Sequence, residues 1–282
     1  MSTPDARARS AALRSRAQAL RSTGRIRDAL DVLRDAVAAA PDDPANFCEI
    51  GLCQLDAENW SEARRAGSSA LSLQPHSQLA LRIVALSGCH TPGGSREALD
   101  AAKRAVALGP SEPTNVNALA RVYLEMGTLN AARAQAERAL QLAPTLSYVH
   151  GTAGSIALAQ GRLKAAEHHF RELLHDDPNS WSAENNRGVV GLGGGRGARA
   201  ARHFLSSIRA RPDQLPIENL QLTLKQAFAR VGNIYVTIVA IAVQILAPRS
   251  WGLGAAASFV GALVVPAVVL LARRRAPRAV RV

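Results

Sequence analysis

Apolar side chains recur along the chain at helical spacing, in paired segments that polar turns separate. The clearest copy is Pro113–Pro144, which predicts two short amphipathic helices joined by a turn at Gly127. The pattern returns with a period close to 34 residues, and a proline closes each copy, at positions 41, 75, 110, 144, 178 and 212. A fixed period of this length indicates a stack of helical hairpins.

We expect six hairpin units, at about residues 10–41, 44–75, 78–110, 113–144, 147–178 and 181–212. The third unit holds one extra residue, and a longer turn at residues 90–94 is expected to accommodate it. Two positions in each unit carry small residues, which let packed helices approach closely. These are position 8 (Ala17, Gly51, Ala85, Ala120, Gly154 and Gly188) and position 20 (Ala29, Ala63, Ala98, Ala132, Ala166 and Ala200).

Small residues, turn glycines and terminal prolines that repeat together at this period resemble the tetratricopeptide repeat family over residues 10–212. The resemblance implies an all-α fold, a right-handed α-solenoid of about six helix-turn-helix repeats. Three features depart from the family pattern. The bulky residue at position 4 is replaced by His150 and Glu184, and the aromatic residue at position 11 survives only as Tyr123. The sixth unit, with a glycine-rich turn at 191–197, is interpreted as a degenerate terminal repeat.

The resemblance also implies a concave groove lined by positions 2, 5, 6 and 9 of the first helices, where a protein or peptide partner binds. Arg82 and Arg121 are expected to pair with carboxylates, and Asn117 to bond to an extended peptide backbone. The Lys/Asn/Asn/Lys/Arg clamp by which some family members hold chaperone C-termini is absent. The predicted groove residues are Arg14, Gln18, Cys48, Glu49, Leu52, Arg82, Asn117, Arg121, Tyr148, Thr152, Ser155, Asn185 and Asn186.

The segments outside the repeats predict a tail, a cap and a membrane anchor. Residues 1–9 are expected to be a flexible tail, and residues 213–230 a capping or linker helix. Residues 231–247 and 252–272 carry no charge, which predicts a two-span transmembrane hairpin over 231–272. The alternatives are a buried apolar hairpin of a soluble protein, and one span with a re-entrant segment.

The distribution of charge along the sequence also favours a two-span membrane topology. The net charge is +12, and six arginines without any acidic residue lie in residues 231–282. The basic tail at 273–282 favours a cytoplasmic position, and the N-terminus lacks the apolar core of a secretory signal. The predicted localisation is therefore the inner membrane, with the repeats and the tail on the cytoplasmic side.

No residue constellation in the sequence predicts catalysis, a cofactor or a metal site. Three cysteines at positions 48, 53 and 89 have no metal-like spacing and are expected to be small buried apolar groups. The histidines at 150, 168, 169 and 175 lack the spacing that puts two ligands on one helix face. The glycine run at 191–197 is expected to be an interhelical turn instead of a phosphate loop.

These observations predict a non-enzymatic adaptor that binds a protein partner in its groove and tethers it at the membrane. The alternative function is association with nucleic acid. It would use an arginine-rich N-terminal region without aromatic residues for base stacking, which comprises Arg7, Arg9, Arg14, Arg16, Arg21, Arg25 and Arg27.

Overall fold

The computed structural model describes residues 3–210 and 215–224, and all regular structure within those ranges is α-helical. The alternation of short helices confirms the all-α repeat architecture that the sequence predicts. The helices are α1 Pro4–Ser22, α2 Ile26–Ala39, α3 Pro44–Asp56, α4 Trp60–Leu73, α5 Gln78–Gly88, α6 Ser95–Leu108, α7 Pro113–Glu125, α8 Leu129–Leu142, α9 Ser147–Ala159, α10 Leu163–Asp176, α11 Trp181–Gly193, α12 Gly197–Ala210 and α13, residues 215–224.

The chain divides into two compact bodies, and the boundary follows Thr152, inside α9. In the first body, α1–α2, α3–α4, α5–α6 and α7–α8 pack as hairpins, and each hairpin contacts the next. The first helices also contact one another in order, α1 with α3, α3 with α5 and α5 with α7. In the second body, α11 packs on both α10 and α12. Each hairpin therefore buries its apolar surface against a neighbour, as repeat proteins do.

Alanines at position 20 form the most regular part of the core. All six of them are fully buried, with 0 % of their surface exposed. Because alanine has the smallest side chain that still fills space, the second helix lies close to the first in every hairpin. The alanine pattern that the sequence predicts is therefore confirmed as the close-packed seam of each unit.

Proline and side-chain caps define the helix ends. Each second helix from α2 to α10 ends two residues before its proline, as α8 does at Leu142 before Pro144. A proline also occupies the first turn of α1, α3 and α7, where its missing N–H has no helical partner to lose. At the start of α3, the Asp43 side chain accepts a hydrogen bond from the Ala45 N–H at 3.0 Å.

The third hairpin has the longer turn that its extra residue predicts. Its first helix ends at Gly88 and its second helix begins at Ser95, so six residues connect them, whereas three residues connect the helices of the fourth hairpin. Thr91 is buried in this turn, and its hydroxyl donates to the Gly88 carbonyl at 3.0 Å. The insertion is thus absorbed locally, and the 34-residue period resumes afterwards.

The N-terminal boundary differs from the prediction of a flexible tail at residues 1–9. Helix α1 begins at Pro4, because the Thr3 hydroxyl caps it by accepting from the Ala6 N–H at 3.3 Å. Arg7 then pairs with Asp42 at 3.1 Å, which fixes the first turn to the next unit. At the other end, α13 lies within the predicted capping segment 213–230.

The predicted localisation at the inner membrane is corrected by the described helices. None of the helices in residues 3–210 and 215–224 is long and apolar enough to cross a bilayer. A 14-residue helix such as α8 spans only about 21 Å, against roughly 30 Å of hydrocarbon. The hairpin predicted at 231–272 and the basic tail at 273–282 lie outside the described residues.

Candidate partner-binding face

The predicted groove residues divide between the two bodies. Ser155, Asn185 and Asn186 belong to the second body, and the other members of the set belong to the first. We call the surface of the first body that carries Arg14, Gln18, Glu49, Arg82, Asn117, Arg121, Tyr148 and Thr152 the first-helix face, since these residues lie on α1, α3, α5, α7 and the start of α9.

Polar side chains of the first two units bind one another across the repeat interface. Arg14 pairs with Asp43 at 2.6 Å. Glu49 is only 4 % exposed, and its carboxylate accepts from Gln18 at 3.1 Å and from Arg21 at 2.8 Å. A buried carboxylate needs such charged and polar partners. These predicted groove residues therefore hold α1 to α3, and their polar groups are already occupied.

Buried asparagines, which the sequence analysis missed, join successive hairpins. Asn46 is fully buried, and its amide donates to the carbonyls of Ala36 and Ala40 at 3.2 and 3.1 Å. The Asn115 amide likewise donates to the Ala105 carbonyl at 2.9 Å. These carbonyls lie at the end of the preceding helix and already accept from backbone N–H groups, as Ala36 does from Ala40, so each amide adds a second donor that ties one hairpin to the next. The available signal was an asparagine two residues after the N-terminal proline of α3 and of α7.

Arg82 and Arg121, the arginines of the first-helix face in the third and fourth units, form no ion pair with a neighbouring unit of the described chain. Arg82 is half-buried and donates to the Asn115 amide oxygen at 2.9 Å. Arg121 is solvent-accessible and makes no hydrogen bond or ion pair within residues 3–210 and 215–224. Neighbouring protein atoms remove part of the water around each guanidinium group, and this desolvation lowers the pKa of both Arg82 and Arg121. Both charges are therefore uncompensated by a bonded carboxylate.

Asn117 and Tyr148 extend the same part of the face. The Asn117 side chain is 7 % exposed, and its buried amide oxygen has no hydrogen-bond donor in the described chain. Tyr148 is 39 % exposed, and burial raises the pKa of its phenol while the charge of Arg82 opposes that shift. Thr152 is buried and donates to the Tyr148 carbonyl at 3.3 Å, so its hydroxyl is occupied.

The predicted residues of the second body are mostly engaged internally. Asn185 is 1 % exposed and accepts from the Asn219 amide of α13 at 3.1 Å. Its own amide lies 3.4 Å from the Asn186 oxygen. Ser155 and Asn186 are half-buried. Asn185 therefore ties α11 to α13, a role that the sequence did not predict.

The polar residue at position 4 of the sixth unit has a structural explanation. Glu184 accepts from His203 at 2.7 Å and lies 3.9 Å from Arg187, which also pairs with Glu167 at 3.0 Å. All four side chains are largely buried, at 15–18 % exposure. A network of charged hydrogen bonds therefore replaces the apolar contact of the family pattern and links α10, α11 and α12.

The remaining chemical groups do not form a reactive or metal-binding site. Burial raises the pKa of Cys53 to about 12 and that of Cys89 to about 11, and it also raises the pKa of Cys48. A neutral thiol is a weak nucleophile. Within residues 3–210 and 215–224, no three His, Cys, Asp or Glu side chains are arranged to hold a metal ion.

An open concavity of about 300 Å³ lies beside the turn between α3 and α4. The Trp60 ring stacks on His90 there, with their centroids 4.1 Å apart. Glu62 lines the same concavity and already pairs with Arg65. The concavity therefore offers an aromatic surface beside two carboxylates, those of Glu58 and Glu62.

Family models decide the classification of the repeats. Two models described as tetratricopeptide repeat match residues 93–147 and 152–214, and residues 10–54. Together they cover more than half of the chain. The chain belongs to the tetratricopeptide repeat family. Members of this family form a protein-interaction fold, and they bind protein or peptide partners.

Several solved structures share the fold of this chain. PilW, a widely conserved type IV pilus biogenesis factor, is 16 % identical, with a TM-score of 0.58 over 76 % of this chain and 98 % of PilW. TTC0263, a thermophilic protein of Thermus thermophilus, is 19 % identical, with a TM-score of 0.58 over 70 % of this chain and 99 % of that protein. Human IFIT1, solved as a dimer with m7Gppp-AAAA, is 18 % identical, with a TM-score of 0.60 over 75 % of this chain and 55 % of IFIT1. No curated protein sequence matches the chain.

Proposed function

We propose that this tetratricopeptide repeat protein is a non-enzymatic scaffold that binds a partner protein through an extended segment on its first-helix face. The binding region is the part formed by the third and fourth units and the start of α9. Its principal residues are Arg82, Asn117, Arg121 and Tyr148. The proposal adds a location and a set of residues to the general interaction role of the fold.

The observation that carries this proposal is the difference between the two halves of the face. Arg14 and Glu49, in the first two units, have their charges satisfied by neighbouring repeats. Arg121 is accessible and has no bonded partner among the described residues, and Tyr148 exposes 39 % of its surface. Tyrosine and arginine are the residue types that contribute most to protein interfaces. The open half of the face therefore has the composition of a binding surface.

Site-specific photocrosslinking tests the location of binding. A photoreactive phenylalanine analogue placed at Tyr148 should give a discrete adduct in cells of the native host. The matched control is the same analogue at Lys103, which is exposed on the second helix α6 and should give none. Adducts that form equally from both positions, or from position 103 alone, would contradict binding on the first-helix face.

Association with nucleic acid is the less favoured function. Arg7, Arg14, Arg21 and Arg25 of the arginine-rich N-terminal region each pair with a carboxylate, at 3.1, 2.6, 2.8 and 2.6 Å. Pairing reduces the positive field that a phosphate backbone would meet. The m7Gppp-AAAA of the IFIT1 structure is a property of that protein, and 18 % identity conveys the fold alone. Steeply salt-dependent RNA binding by the purified chain would reverse this preference.

A further inference from the structure

We propose that the segment bound on the first-helix face is acidic, and that two of its side-chain carboxylates bind Arg82 and Arg121. The inference rests on the proposed function and specifies the chemistry of the partner. The carboxylates belong to aspartate or glutamate residues inside an extended segment.

Charge complementarity is the first argument. Arg14 of the same face lies 2.6 Å from a carboxylate oxygen of Asp43, and Arg21 lies 2.8 Å from one of Glu49. By contrast, no carboxylate of the described chain forms an ion pair with Arg82 or Arg121. Glu112 acts on Arg82, and Glu125 on Arg121, only as charges at longer range. An arginine held among protein atoms gains most from a carboxylate that binds it in two-point geometry.

The spacing of the two arginines argues for two acidic side chains. Arg82 is on α5 and Arg121 is on α7, and these helices pack against each other. Arg82 is the fifth residue of α5 and Arg121 is the ninth residue of α7, so an axial offset of about 6 Å adds to the roughly 8–10 Å between packed helices. An extended segment advances about 3.3 Å per residue, so carboxylates three or four residues apart in the segment match the resulting separation of about 10–12 Å. A single terminal carboxylate would satisfy only one of them.

The unpaired amide of Asn117 is an independent sign of a missing ligand. Asn117 precedes Arg121 by one helical turn on α7. Its side chain is more than nine-tenths buried, yet its amide oxygen has no donor in the described chain. Leaving a buried acceptor unsatisfied costs about 1–3 kcal/mol, so buried acceptors usually have a partner. The oxygen itself is closed to solvent, so the bound segment reaches it only after the Asn117 amide turns, and a backbone N–H of the segment then supplies that donor.

Selection from a random library tests the composition of the segment. The full-length chain is immobilised and screened against phage-displayed random dodecapeptides. We expect the selected peptides to carry two Asp or Glu residues separated by two or three positions. The same selection on the Arg82→Gln, Arg121→Gln double variant should lose that enrichment. The Lys103→Gln variant removes an exposed charge from α6 and should retain it.

Binding of one selected peptide, measured by fluorescence anisotropy, tests the contacts. Each arginine substitution should weaken binding at least about tenfold, as expected for the loss of a charge-assisted hydrogen bond. Lys103→Gln should change it less than twofold, and so should amidation of the peptide C-terminus. Circular dichroism melts verify that all variants are folded.

The possible results separate this inference from the proposed function. Peptides without acidic residues that lose binding on Tyr148→Ala would overturn the acidic chemistry and leave the location intact. A tenfold loss on amidation would also overturn it, because a terminal carboxylate would then be the ligand. Peptides indifferent to Tyr148→Ala and to both arginine substitutions, or no selected peptides at all, would contradict the proposed function itself.

Discussion

Glu58 is the residue whose backbone conformation conflicts most clearly with its identity. It has a φ of +58°, in the left-handed region that non-glycine residues rarely adopt. The turn still closes normally, because the Asn59 N–H donates to the Gln54 carbonyl at 2.8 Å. The other five interhelical turns have a glycine with positive φ, namely Gly24, Gly93, Gly127, Gly161 and Gly195. The second hairpin therefore keeps the geometry of the family turn without its usual residue.

Replacing Glu58 with glycine should stabilise the first body. A left-handed backbone costs a non-glycine residue about 1–2 kcal/mol, which glycine avoids. The greater freedom of glycine in the unfolded chain lowers the stability again by about 0.4–1 kcal/mol. We expect Glu58→Gly to raise the free energy of unfolding by about 0.5–1 kcal/mol in urea titrations. Gly127→Ala is the reverse control, since nothing lies within 4 Å of the added methyl group. A stabilising Gly127→Ala would refute the backbone explanation.

At the scale of the helix, position 8 and position 24 are matched in size in the fifth and sixth hairpins, where a glycine faces a phenylalanine. Gly188 of α11 faces Phe204 of α12, and Gly154 of α9 faces Phe170 of α10. Both phenylalanine rings are buried, at 0 and 1 % exposure. A methyl group on Gly188 would lie 2.3 Å from the Phe204 ring, which is far inside van der Waals contact. The glycine is thus required by the ring that fills its place.

A double-mutant cycle measures this pairing. Gly188→Ala should destabilise the second body by about 1–2 kcal/mol, because overpacking costs about 1–3 kcal/mol and alanine returns up to about 1 kcal/mol of helix propensity. Phe204→Leu makes room for the methyl group, so the double variant should lose less stability than the sum of the two single variants. Additive losses in urea titration would show that the two positions do not compete for space.

Helix boundaries were predictable because their signals are local. A proline follows each second helix from α2 to α10 by two residues, and the position 20 alanines are buried in every hairpin. The pairing of Glu49 with Gln18 and Arg21 was not predictable, since the partners are 28–31 residues away and side-chain packing selects them. The same limit explains Glu184, which the sequence marks as a defect and the structure shows within an ion network. The sequence thus predicts which residues lie on the first helices, and only the structure separates the occupied groups among them from the open ones.

For the whole molecule, the repeat architecture determines how far a local defect spreads. In a stack of hairpins, stability is approximately a sum of unit terms and nearest-neighbour interface terms. The first body fits this description, because each hairpin contacts only its neighbours in the chain. A defect in one hairpin should therefore loosen that hairpin and the adjacent ones before it affects a distant one.

Ala132→Leu tests this behaviour, because Ala132 is fully buried in the seam of the fourth hairpin. The larger side chain should cost about 1–3 kcal/mol by overpacking. Amide hydrogen exchange should show lost protection in α7 and α8, with α1 and α2 close to their wild-type protection. Ala107→Leu, exposed on α6, is the control and should change neither stability nor exchange. Equal loss of protection across α1 to α8 would instead show that the first body unfolds as a single cooperative unit, and unchanged stability would show that position 20 is not a close-packed seam.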